Sequence, residues 1–230
     1  MKRLRRLFVR VGPALCSAVL CLCVAVPPIG LSGCSRAYYG AMEKLGVHKR
    51  DIMVDRVRNA RDAQTAAKEQ FKSALEQFAE VVTVRGGDLE AQYKKFNAAY
   101  ERCKSRADQV HSRIDAVESV SEALFREWKA ELREYSSAAL RQDSERKLES
   151  TRREYERLIT AMKRAEAKIQ PVLTVFHDQV LYLKHNLNAQ AIASLRGEKV
   201  TLERNVEQLV GELESAIREA DVFIARLQRG

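Results

Sequence analysis

The chain has 230 residues, 46% of them hydrophobic and 31% charged, with a formal net charge of +9 and only ten glycines and four prolines. That balance excludes a disordered or collagen-like chain and belongs to long helices. The positive surplus is unevenly placed: residues 1–33 hold Lys2, Arg3, Arg5, Arg6 and Arg10 and no acid, which leaves 35 basic against 31 acidic residues, or +4, for everything after them. Spread over a body rich in both signs, this is an ordinary solvated surface, and no nucleic-acid partner is expected.

Residues 1–33 read as a signal. The opening MKRLRR precedes an apolar run from Val11 to Ile29, the order of a secretory n-region and h-region. A spanning helix needs about 20 uninterrupted apolar residues, and Pro27 and Pro28 break this run first. Leu31-Ser32-Gly33-Cys34 follows and resembles the bacterial lipobox. The resemblance implies cleavage between Gly33 and Cys34, a diacylglyceryl group on the Cys34 thiol and an acylated new amine. Several acyl chains, at roughly 0.8 kcal/mol per buried methylene, exceed what stable anchoring needs. By resemblance to the Gram-negative sorting rule, Ser35 in place of Asp favours the outer membrane, facing the periplasm, with the periplasmic face of the inner membrane as second choice.

Residues 34–48 then form a lipid-anchored tether and short helix, with Arg36, Tyr38 and Tyr39 placed for the headgroup region and His48, Lys49 and Arg50 as candidate headgroup contacts. Cysteine usage agrees with an exported protein. Cys16, Cys21 and Cys23 leave with the signal and Cys34 takes the lipid, so Cys103 alone remains and no internal disulfide is possible.

The body, residues 49–230, is written in heptads. Met53, Val57, Ala60, Gln64, Ala67, Phe71, Ala74, Phe78 and Val81 recur at steps of four and three, the seam of a coiled coil with one polar exception. Arg85-Gly86-Gly87 permits a tight reversal, and Asp88 is placed to cap a second helix. Its seam runs Leu89, Tyr93, Phe96, Tyr100, Cys103, Ala107, Val110, Ile114, Val117, Ser121, Leu124 and Trp128. Cys103 therefore reads as a small buried hydrophobe. A break at Ser136-Ser137, or near Asp143-Ser144, precedes a third seam through Leu148, Thr151, Tyr155, Leu158, Met162, Ala165, Ile169, Val172 and Phe176, where Pro171 is expected to kink the helix. A polar corner around Asn186 to Asn188, with Asn188 as the next cap, leads to a fourth seam through Leu202, Val206, Leu209, Leu213, Ala216, Ala220, Phe223 and Leu227. No stretch alternates with the period of a strand. The spacing predicts an all-α fold, an elongated antiparallel bundle or coiled-coil hairpin of about four long helices without a sheet.

Chemistry is harder to find. Arg196-Gly197-Glu198-Lys199-Val200-Thr201 lacks the spacing of a phosphate loop. His48, His111, His177 and His185 are too scattered for a local zinc site, and the carboxylates interleave with Lys and Arg as exposed helix pairs do. No catalytic residue, metal ligand, cofactor or small-molecule substrate is expected. One polar interruption, Lys184, His185, Asn186 and Asn188, is the candidate interaction surface.

Four strings carry a family resemblance: residues 41–52 (AMEKLGVHKRDI), 71–75 (FKSAL), 114–120 (IDAVESV) and 183–189 (LKHNLNA). With them the chain resembles a family of bacterial lipoproteins catalogued as domain of unknown function 2959, over nearly all of the mature region. The resemblance implies helices behind a lipid signal and no assigned activity. The expectation is a membrane-anchored envelope lipoprotein with a structural or adaptor role, whose partner is another envelope protein or a second copy. The alternative is a component that binds or transports a lipid or small hydrophobe in a groove between helices.

Overall fold

The computed structural model describes Tyr39, Met42 and residues 48–83 and 88–229 of the chain. Four helices fill these residues: α1 (Lys49–Thr83), α2 (Leu89–Glu131), α3 (Ala138–His185) and α4 (Ala189–Arg229). At 1.5 Å per residue they are rods of about 50–70 Å.

Three of the four starts have a side-chain cap. The Asp88 carboxylate accepts the Ala91 N–H at 2.9 Å, the Ser137 hydroxyl accepts that of Leu140 at 3.4 Å, and the Asn188 amide oxygen accepts that of Ala191 at 2.9 Å. These side chains satisfy N–H groups that a helix's first turn leaves without partners. Of the two breaks expected between the second and third helices, the one at Ser136-Ser137 is realised. Through Pro171 α3 continues as one helix from Ala138 to His185. Pro171 is exposed, so the carbonyl that its missing N–H would have met lies on the watered side.

The seams pack as their spacing predicts. All nine α1 seam residues, including Gln64, have no exposed surface, and the α4 seam from Leu202 to Leu227 is buried throughout. Helix α1 packs against α2 and α4, and α3 against the same two, so the rods close into a ring with α1 and α3 on opposite corners. Cross-helix pairs fix the antiparallel register: Lys49–Glu127 at 2.8 Å, Arg61–Asp221 at 2.8 Å, Lys163–Glu118 at 2.8 Å and Arg164–Glu212 at 2.6 Å. One half of the interior is aromatic. There Phe96 lies with its ring centroid 5.4 Å from Phe78 and 5.7 Å from Phe176, and Phe71 stacks on Phe176 at 6.2 Å. The other half is thinner: Ala60, Ala67, Ala161, Ala165, Ala216 and Ala220 are buried there and let the backbones approach.

The two ends of the bundle differ. At the end where α1 begins, called here the near end, Arg226 of α4 pairs with Glu154 of α3. The stretch of α3 from Ala138 to about Ser150 therefore runs roughly 20 Å past the end of α4. Seam residues Trp128, Leu148 and Thr151 lie at or beyond that level and are only partly buried, because α1 and α4 supply little to cover them. At the far end, the Arg196 guanidinium donates to the Val82 carbonyl at 2.8 Å and ties α4 to the last turn of α1.

Candidate functional site

Cys34 and Gly33, which carry the lipidation and cleavage expectations, lie outside the described residues, as do Ser35, Arg36, Tyr38 and the Arg85-Gly86-Gly87 turn. Tyr39, five residues beyond Cys34, is placed: its ring is buried and its hydroxyl lies 3.2 Å from the Ser119 hydroxyl of α2, while Met42 packs against the core. Tyr39 thus rests on the near half of the bundle.

The three candidate headgroup contacts separate. His48 is exposed, and its carbonyl accepts the N–H groups of Asp51 and Ile52. Lys49 is buried and its ammonium meets Glu127 of α2 at 2.8 Å. The Arg50 guanidinium donates to the Leu227 carbonyl in the last turn of α4. Lys49 and Arg50 therefore bind the start of α1 to its two neighbours, and a cation at Leu227 also suits the negative end of the α4 dipole.

Lys184, His185, Asn186 and Asn188 come together at the far-end corner. Lys184 and His185 are exposed in the last turn of α3. The Asn186 amide donates to the Tyr182 carbonyl at 3.0 Å, and Asn188 caps α4. These two asparagines build the corner. Leu181, Tyr182 and Leu187 beside them are 48%, 40% and 38% exposed, so the corner is polar in its scaffold and apolar in part of its face.

Sequence reasoning missed the near-end cavity. It has a volume of about 580 Å³, and its lining includes Leu124, Trp128, Thr151 and Leu227 together with Arg226 and Glu154. The Trp128 indole N–H donates to the Ser144 hydroxyl at 2.8 Å, which holds the ring against α3. Unequal helix lengths were the available signal: two helices of 43 and 48 residues joined in a hairpin must outrun partners of 35 and 41.

Two titratable groups stand apart from this end. His111 of α2 is exposed, with Nδ1 2.6 Å from Glu166 of α3 and Nε2 3.5 Å from Asp115. The bond to Glu166, then the charge of Asp115, raises its pKa above 6.5. Cys103 is buried and donates to the Gln70 carbonyl at 3.5 Å, and burial pushes its thiol up to about 12. A thiol held protonated at neutral pH is a poor nucleophile. Among the described residues, no three His, Cys, Asp or Glu side chains are grouped to hold a metal, and no helix is long and apolar enough to cross a membrane.

These features define an all-helical bundle with a polar corner at one end and a cavity at the other. The family model described as protein of unknown function (DUF2959) matches residues 38–227, and the chain belongs to that family. No curated protein and no solved structure matches it.

Proposed function

We propose that the protein is a lipoprotein of the cell envelope, held to a membrane by lipid on Cys34, whose helical body is a structural or adaptor element and not an enzyme. The observation that carries this is the polarity of the rod. Tyr39, five residues after Cys34, lies on the near half at Ser119, and the exposed Leu181, Tyr182 and Leu187 lie at the opposite end. From Ser119 back to the start of α2 is 30 residues, so the corner stands up to about 45 Å from Tyr39 along the axis. A partner docked there, another envelope protein or a second copy, is kept off the bilayer. His48 remains available to anionic headgroups, while Arg36, Tyr38 and Ser35 belong to the tether that reaches them. Sorting to the periplasmic side of the outer membrane is part of the same proposal.

Fractionation of Cys34→Ser cells tests the anchor: the variant should leave the membrane fraction and lose lipid labelling, and a membrane-bound variant with its signal cut elsewhere overturns it. Photocrosslinkers at Tyr182 and Leu187 should capture one discrete envelope protein, or a second copy, that a crosslinker at Arg152 on the near half does not. Equal capture from both ends overturns the adaptor role. Binding of a lipid or small hydrophobe is the alternative, and the near-end cavity favours it.

A further inference from the structure

We infer that the near-end cavity binds the acyl chain of an anionic amphiphile, with the chain against Trp128 and the head among the arginines at the mouth. This rests on the lipid-binding alternative and gives it a site and a ligand class. The body itself forms the site, and no anchor is needed for it.

The seams cause the cavity. Leu124 and Trp128 continue the apolar edge of α2, and Thr151 that of α3, to a level where α4 ends at Leu227 and Arg229. Apolar side chains that no fourth helix covers among the described residues leave a concave wall, and 580 Å³ lies within the roughly 300–1,000 Å³ of small-molecule sites. A flexible chain of methylenes suits such a wall, since it asks for no hydrogen bonds.

Charge selects the head. Arg50, Lys147, Arg226 and Arg229 line the cavity with Glu127, Glu131 and Glu154. Glu154 is engaged by Arg226, Glu127 by Lys49, and Lys147 by Asp143 at 3.1 Å. Arg50 and Arg229 instead donate to backbone carbonyls, of Leu227 and Ala225, so neither guanidinium charge is matched by a carboxylate in these bonds. The same two arginines also line a more polar depression with His48, Asp51, Asp55 and Arg58 on the α1 side, where Arg58 is taken up by Asp55 at 2.7 Å. A carboxylate or phosphate there would meet two planar donors suited to oxyanions, with its chain directed into the cavity.

Trp128 is the chain's single tryptophan, so its emission reports on this wall alone. The test titrates the full-length protein, and Cys34→Ser, which cannot carry acyl chains of its own, with a fatty acid brominated at mid-chain. Saturable loss of most Trp128 emission is expected. The same brominated chain ending in an alcohol should need a several-fold higher concentration, and Arg50→Gln with Arg229→Gln should erase that preference. Thr151→Phe, a change at a half-buried position that fills the cavity, should remove the quenching while leaving the helical signal intact. Vesicles of brominated phosphatidylglycerol separate the sources: quenching by vesicles alone assigns a phospholipid, and quenching by the acid alone assigns a free fatty acid. Quenching confined to Cys34→Ser means that the lipid on Cys34 already fills the cavity in the native protein, which supports the acyl site but overturns the anionic head. Equal potency of acid and alcohol likewise overturns the head and leaves lipid binding standing. Quenching that survives Thr151→Phe unchanged, or none from any probe in either protein, overturns the site and the lipid-binding alternative with it.

Discussion

Replacing Gln64 by Leu should stabilise the protein. The side chain has no exposed surface, and neither its amide oxygen nor its amide nitrogen has a hydrogen-bond partner among the described residues. A buried polar group left without a partner costs about 1–3 kcal/mol, and Leu of similar volume also gains the transfer of its methyl groups. A net gain of about 1–3 kcal/mol is expected, which for a chain of this size raises Tm by roughly 2–4 °C per kcal/mol. The position lies in the alanine-rich half, between Ala60 and Ala67, where Leu must fit without forcing the helices apart. Urea titration followed by circular dichroism reads the free energy, and sedimentation reads whether the variant keeps its native association state. A loss of more than about 1 kcal/mol at unchanged association would refute the reasoning, because it would mean that the amide is satisfied in solution. A stabilised variant of altered association state would instead show Gln64 to be a register device, as single polar residues in coiled-coil seams are known to be.

Phe176→Ala removes the ring that Phe71 and Phe96 share, and should cost about 3–5 kcal/mol; a loss under 1 kcal/mol in the same titration would place the aromatic cluster elsewhere. The pKa of His111 is raised in the fold, so its contribution is fully present below pH 6.5 and is lost as pH climbs through the raised value. Glu166→Gln should return the imidazole titration, followed by NMR, toward its ordinary position and flatten that dependence of stability on pH. Cys103, its thiol pushed up to about 12, should resist iodoacetamide at pH 8 until the protein unfolds. Rapid labelling of the native form would show that the α1–α2 interface opens locally.

The helices were legible because burial on one stripe of a helix forces a spacing of three and four, and Met53 to Val81 keeps that spacing without a slip; which helix packs on which was not, since every seam presents the same kind of apolar edge. Asp88 and Asn188 were legible as caps because their short polar side chains serve N–H groups that have no helical partner. Lys49 was misleading. Read in isolation beside an expected anchor it is a headgroup contact, and nothing local says that Glu127, 78 residues away, will claim it, or that Arg50 will tie α1 to the Leu227 carbonyl 177 residues away. The cavity was hidden for a related reason. Each seam looks complete by itself; the unequal lengths hint at an overhang, and the register between α3 and α4, set by Arg226 with Glu154 and Arg164 with Glu212, fixes at which end it falls.

That register also governs how the molecule would carry load. A tug between Tyr39 on the near half and the Asn188 corner at the far end is directed lengthwise, so the interlocked layers between them resist sliding together and none is peeled off singly. The ring of four rods behaves as a strut in tension, while the turns of α3 beyond Arg229 extend past the level of Tyr39 and lie outside the path of that load.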